Sequence, residues 1–242
     1  MITDNALDFL AEWAEGRAPG GEAPFYLQVT YTAPHSPWYR DQHPAGFFDP
    51  YYDDCPFESV PDEPKNQNDT GVTDFFDSPE LRREKLAGYY AAVTAMDAGI
   101  GKIIDRLESM GVADDTLVFF TSDNGMNMGH HGICGKGNGT LPINMFETSV
   151  KVPAIIAGPG VAGDSRGLPR VASDLVNHYD WMPTLLDYLG IVHDDPTLPG
   201  RSFLPLLEGR ELRDRAAIAF DEYGPTRMIR RGRYKYIHRY PG

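Results

Sequence analysis

Long apolar runs, surplus positive charge and cysteine are what this 242-residue chain lacks. No stretch approaches the ~18 consecutive apolar residues that a membrane-spanning helix needs. Lys and Arg number 22 against 35 Asp and Glu, a formal charge of −13. That balance argues against a nucleic-acid partner, whose binding surface needs a basic patch. It also means that an anionic substrate must meet a local positive centre, a metal ion or selected Lys and His side chains. Two cysteines, Cys55 and Cys134, are too few for a disulfide framework and leave the compartment open. No long low-complexity tract suggests disorder, and the opening MITDNALDFLAEWAEG is too acidic for a signal peptide.

What is present suits a folded core. Hydrophobic residues make up 41% and aromatics 12%, enough for one large domain or one domain with a small appendage. The first residues read as an amphipathic helix with Ile2, Leu7, Phe9, Leu10 and Trp13 apolar. RAPGGEAP is a turn-rich linker, and FYLQVTY a short buried strand that the prolines of TAPHSPW stop. Residues 39 to 77 carry Pro, Asp and aromatics without a period, which predicts a long surface excursion contributing to a substrate rim. A long helix follows, with Ser78 as cap, Pro79 and Glu80 in the first turn and Gly111 at the end. Its apolar residues run from Leu86 through Tyr89, Tyr90, Val93, Met96, Ile100, Ile103 and Ile104 to Leu107. DDTLVFFTS and VPAIIAG do not alternate, which predicts strands buried on both faces. DWMPTLLDYLG predicts a helix capped by Asp180 and closed by Gly190, and TRMIRRGRYKYIHRY two antiparallel strands about Arg231-Gly232. The alternation predicts an α/β fold, a layered α/β/α domain with a largely parallel or mixed sheet, plus the start of a small C-terminal antiparallel sheet. Starting in mid-helix and stopping inside a hairpin, the chain is expected to be cut at both ends.

In such sheets, sites form at the carboxyl ends of strands. APHSP and SDNG both stand there. Asp123 and Asn124 offer hard oxygen donors suited to Ca²⁺ or Mg²⁺, although Asp-Asn-Gly is equally good turn chemistry and the tetrapeptide alone favours the turn. His35 lies between prolines that fix its backbone, or else packs beside Trp38. Lys136, between Gly135 and Gly137, sits where backbone can approach a ligand closely, or is a solvated surface lysine. GKG lacks the Ser/Thr and the upstream glycine spacing of a phosphate-binding P-loop. The side chains of adjacent His130 and His131 diverge, which disfavours joint chelation. Cys134 reads as a buried small residue, since no neighbouring pattern makes it a nucleophile.

The ordered blocks PFYLQVTYTAPHSPW, YYAAVTAMDAGIGKIIDRLESMG, DDTLVFFTSDNG, GHHGICGKGN, MFETSVKVPAIIAGPG, DWMPTLLDYLG and GRSFLPLLEG resemble the middle and later part of the formylglycine-dependent sulfatases of the alkaline phosphatase superfamily. The resemblance implies a divalent cation, usually calcium with magnesium as the alternative, beside a formylglycine made from Cys or Ser. The hydrated aldehyde attacks sulfur, the alcohol leaves, and the covalent sulfate is then expelled. By the same resemblance Asp123 and Asn124 are metal ligands, His35 and Lys136 are catalytic and bind sulfate oxygens, and His131 lines the substrate end. A pre-placed cation and lysine suit a reaction that gathers negative charge on oxygen, and a histidine can protonate a departing alkoxide.

The family's Cys/Ser-x-Pro-x-Arg motif is absent, and TLPGR at 197 to 201 only imitates its spacing. The paired aspartates completing the metal site, a second lysine and a second histidine are missing too. Residues 1 to 220 are therefore expected to be a partial catalytic domain, and 221 to 242 the beginning of a C-terminal subdomain. Alone, the chain is expected to be inactive and to hold calcium weakly. The expected partner is a sulfated small molecule or sulfated sugar, with no nucleic acid and no membrane span. A phosphonate or phosphate ester hydrolase of the same superfamily, and a non-catalytic truncated binding protein, are the competing readings.

Overall fold

The computed structural model describes residues 1–16, 23–163, 167–221 and 225–240. In chain order the helices and strands are α1 (Ile2–Glu15), α2 (Ala45–Asp54), α3 (Pro79–Ser109), β1 (Val118–Thr121), β2 (Asn127–Met128), β3 (Cys134–Gly135), α4 (Glu147–Val150), β4 (Ala154–Ala157), α5 (Trp181–Tyr188), α6 (Leu204–Leu207), β5 (Ala216–Phe220), β6 (Thr226–Arg231) and β7 (Tyr234–Arg239). They form two compact units, one of residues 1–116 with 126–135, the other of 117–125 with 136–242. No described helix is long and apolar enough to cross a membrane.

The first unit is organised by α3. The Ser78 hydroxyl accepts the Leu81 N–H at 3.1 Å, Pro79 opens the helix, and Gly111 ends it at φ +69°, where a side chain would be strained. The apolar stripe is more varied than its sequence period suggests. Leu86 and Leu107 are buried, but most of the other buried positions are small: Ala87, Gly88, Ala91, Ala92 and Gly99. A Cβ on Gly88 would come within 2.1 Å of the Trp38 carbonyl oxygen, so only glycine lets that backbone lie against the helix.

Residues 39 to 77, expected as a surface excursion, instead supply much of this core. Phe48 and Phe75 are completely buried, and Phe57 nearly so, against Leu86, Ala87 and Ala91. Aromatics spaced irregularly along turns show no period, yet each can fill a core gap once α2 and the loops are laid on α3. FYLQVTY, expected as a buried strand, has no ladder partner among the described residues. Its burial alternates, with Phe25, Leu27, Val29 and Tyr31 half-buried. Phe25 meets Trp13 of α1 edge-on at 4.8 Å, and Tyr31 bonds Thr3 at 2.9 Å. The linker RAPGGEAP falls mostly at residues 17–22, outside the described residues.

In the second unit β1 pairs antiparallel with β4, Thr121 opposite Ala154 and Val118 opposite Ala157. The α/β class and the C-terminal antiparallel sheet stand as expected. The strand pairs among the described residues, however, are antiparallel, where a largely parallel or mixed sheet was anticipated. The chain leaving Thr121 comes back at the same edge, and α4 is too short to act as the crossover helix a parallel pair needs. Neither strand is buried on both faces: β1 is half-buried throughout, and Ile155 of β4 is 61% exposed. Trp181 of α5 stacks on Phe119 at 4.1 Å. Asp180 serves the start of α5 not by a simple cap but from a buried position, accepting the Asn177 and Arg201 N–H groups at 2.9 and 2.8 Å. β5, β6 and β7 form one meander, its tight turn opened by Gly232 at φ +55°.

Replacing Gly88 by Ala should cost about 1–3 kcal/mol through overpacking. Ala at Gly101, which has open space around it on the same helix, should raise stability by up to ~1 kcal/mol. Thermal melts of the two variants check the opposite signs.

Candidate functional site

The second unit assembles an oxygen and ammonium pair around the loop that ends β1. Asp123 Oδ1 accepts the Asn124 N–H at 2.8 Å, and the Ser122 hydroxyl donates to the Asn124 carbonyl at 2.9 Å. SDNG is thus a side-chain-stabilised turn, as its composition favours. The turn also directs a ligand-type oxygen. Asn124 Nδ2 donates to the Gly125 carbonyl at 2.9 Å, which leaves Oδ1 to accept the Lys136 ammonium at 2.8 Å. Lys136 is therefore engaged and half-buried, not a solvated lysine. Gly125 permits the approach: its N–H reaches the Ser149 carbonyl at 3.0 Å, and a Cβ there would meet Thr148 O at 2.1 Å. His178 donates through Nε2–H to the Ser122 carbonyl at 2.8 Å.

Asn144 holds the Lys136 segment, and sequence reasoning missed it. This side chain is 4% exposed. Its Nδ2 donates to the Lys136 and Gly137 carbonyls, both at 3.0 Å, and its Oδ1 accepts the Ser149 hydroxyl at 2.7 Å. One amide thereby ties the lysine loop to the segment that receives Gly125. The sole signal in sequence was a polar residue inside LPINMF. Next along the chain, Glu147 receives Arg230 at 2.6 Å and Lys235 at 2.8 Å, which fastens β6 and β7 to the same segment. Burial works against the Glu147 charge, but Lys235 and then Arg230 outweigh it and hold the carboxyl below its ordinary range.

The first unit carries the two histidines singled out by sequence, on separate loops. His35 is exposed, with Nδ1 at 3.0 Å from the Ser36 carbonyl. The Ser36 hydroxyl lies 3.3 Å from the same nitrogen, so Nδ1 is engaged by Ser36 alone. His131 is exposed with φ +59°, and its carbonyl accepts Asn66 Nδ2 at 3.0 Å. His130 is half-buried with its Nδ1 enclosed. Cys134 is buried, and burial pushes its thiol up to about 11. It is no nucleophile at neutral pH.

Asp123 and Asn124 are chemically suited to a hard cation, and Asn124 Oδ1 already faces one positive group, the Lys136 ammonium. They make a partial shell only. No group of three or more His, Cys, Asp or Glu capable of holding a metal exists among the described residues, whereas Ca²⁺ takes about six to eight oxygens.

An α/β unit with hard oxygens and a lysine near a strand's carboxyl end has the chemical types that an oxyanion site uses. The comparisons narrow the choice. The sequence model of the family described as Sulfatase matches residues 1–191, and the chain belongs to that family of alkaline-phosphatase-like proteins. It is 33% identical over 234 residues to a choline-sulfatase of Rhizobium meliloti (strain 1021), covering 89% of this chain and 42% of that protein. The solved structure of yidJ from Bacteroides fragilis superposes with TM-score 0.74 at 25% identity, over 98% of this chain and 48% of that one. A phosphonate monoester hydrolase of Agrobacterium radiobacter gives TM-score 0.54 at 31% identity, over 67% and 34% of the two chains. The chain thus spans less than half the length of these relatives.

Two outcomes follow for the site. Asn144→Ala should destabilise the second unit by about 1–3 kcal/mol through loss of its side-chain bonds to the Lys136 and Gly137 carbonyls and the Ser149 hydroxyl, read by urea titration. Iodoacetamide at pH 8 should modify the half-buried Cys55 in the native protein and spare Cys134 until denaturant is added, read by mass spectrometry.

Proposed function

We propose that the protein carrying this chain hydrolyses sulfate esters of a small molecule or sugar, and that Asp123, Asn124, Lys136, His35 and His131 serve that reaction. The observation that carries the proposal is the Asn124–Lys136 pair, 2.8 Å apart, joining the loop that closes β1 to the segment after β3 in a member of the sulfatase family. A sulfate group is an anion with several oxygens, and in a chain of net charge −13 it needs a fixed positive partner. Lys136 supplies one, and its backbone is held by Asn144 before any substrate arrives. Such prior placement is what makes a charge effective in a transition state. A calcium ion, or magnesium in its stead, held in part by Asp123 and Asn124 would supply further charge neutralisation. A formylglycine would supply the nucleophile; the Cys/Ser-x-Pro-x-Arg motif that encodes it is not in these 242 residues, so the isolated chain should turn over no ester. His35, exposed and with Nδ1 engaged by Ser36, would carry a proton on Nε2 to a leaving oxygen. His131 is exposed at the turn before Cys134 and would contact the alcohol portion.

A phosphonate ester hydrolase is the second reading, favoured by the 31% identity to the Agrobacterium enzyme. Both are decided by assaying the natural full-length polypeptide on 4-nitrophenyl sulfate and on a 4-nitrophenyl phosphonate monoester. Faster sulfate release, with kcat/KM lowered roughly 10²–10³-fold by Lys136→Met and lowered also by Asp123→Ala and by chelation of calcium, is expected. Preferential phosphonate cleavage, or indifference to both substitutions, would overturn the sulfatase proposal.

A further inference from the structure

The sequence YYAAVT and the residues before it are ordinary helix, yet α3 buries a lysine. Lys85 is 5% exposed. Burial of an ammonium group is costly unless it is paired, and a pair of this kind seldom adds more stability than apolar residues of the same size. What it can do is fix geometry. The Lys85 ammonium lies 3.3 Å from the centre of the Tyr39 ring and 2.9 Å from Asp74 Oδ1. The Tyr39 hydroxyl closes the triangle by donating to Asp74 Oδ2 at 2.8 Å. Burial opposes the Lys85 charge, but Tyr39 and Asp74 outweigh it and hold the ammonium above its ordinary value.

Tyr39 is four residues beyond His35, and the chain between them is pinned to the same face of α3. Trp38 is 3% exposed, its backbone rests on Gly88, and its indole N–H donates to the Pro34 carbonyl at 2.8 Å. The Arg40 N–H donates to Glu84 Oε1 at 3.0 Å. Successive groups on α3, at 84, 85 and 88, thus hold residues 34 to 40, and His35 rides on the short loop between the Pro34 and Trp38 anchors. Ser36, Tyr39, Asp74 and Lys85 also line an open cavity of about 590 Å³.

We propose that Lys85 is a positioning residue for His35, acting through Tyr39 and Asp74 to hold the loop that presents the imidazole. This role rests on the proposed use of His35 toward a leaving oxygen. The test has two arms. In the 242-residue chain, long-range ¹H–¹⁵N spectra of the His35 ring report its tautomer, and amide exchange reports residues 34 to 40. Lys85→Met should mix the His35 tautomers and speed exchange in that loop about tenfold or more, while leaving the methyl signals of Leu10 and Leu107 in place. Lys85→Arg, which can still stack on Tyr39 and pair with Asp74, should restore both. Should Lys85→Met fail to fold, Tyr39→Phe removes only the hydroxyl bond to Asp74 and should give the same changes in smaller measure. Unchanged His35 signals and exchange in a folded variant would overturn the proposal.

In the natural full-length polypeptide, Lys85→Met should lower kcat for an alkyl sulfate by about 10²-fold, yet hardly affect 4-nitrophenyl sulfate, whose leaving group needs no proton. Equal losses on both esters would overturn the positioning role. Absence of any sulfate-ester turnover in the unmodified enzyme would instead sink the proposed function, while the spectra still decide whether Lys85 sets His35.

Discussion

A polar group taken out of water must find a partner, and that constraint shapes both units. Lys85 in the first unit, and Asn144 and Asp180 in the second, are each almost fully buried and each fully engaged. None of them belongs to a regular ladder. Each fixes loop backbone or loop side chains that no helix or strand would hold, because an unpaired buried amide, carboxylate or ammonium is too costly to leave open. Loops stapled in this way can present reactive side chains with the precision of a secondary-structure element.

Glycine does the complementary work. At 88, 125 and 132 a Cβ would come within 2.1 Å of the carbonyl oxygen of Trp38, Thr148 and Pro64 respectively. In each case a loop is brought against another segment more closely than any side chain allows. The result at 125 is that the Asp123–Asn124 turn lies beside the segment fixed by Asn144, and the oxygen of Asn124 meets the ammonium of Lys136. An oxyanion approaching a chain of net charge −13 would have to be drawn to particular groups of this kind and not to its general field.

The sequence was most readable where local rules suffice. The bounds of α3 follow from Ser78, Pro79 and Gly111, and the β6–β7 hairpin from its turn glycine, because caps and turns are chemistry among near neighbours. The SDNG turn was legible in the same way from its residue types, and Lys136 stood out by the ordered blocks around it. The core of the first unit was not. Phe48, Phe57 and Phe75 come from a stretch without period, and aromatics scattered over turns carry no mark of which will be covered. Asn144 and Lys85 were invisible for a related reason: a single polar residue among apolar or helical neighbours looks like solvent-facing chain until its partners, distant in sequence, are known.

Residue order by itself determined the α/β class, the family, the elements with strong end signals and the chemical types gathered near the end of β1, because each depends on spacing along the chain. Tertiary structure alone decided that β1 and β4 run antiparallel, that residues 39 to 77 build core, and that the Asn124 oxygen faces Lys136. Those outcomes depend on which groups compete for the same buried space and the same hydrogen bonds, and that competition is settled only when segments far apart in sequence are packed together.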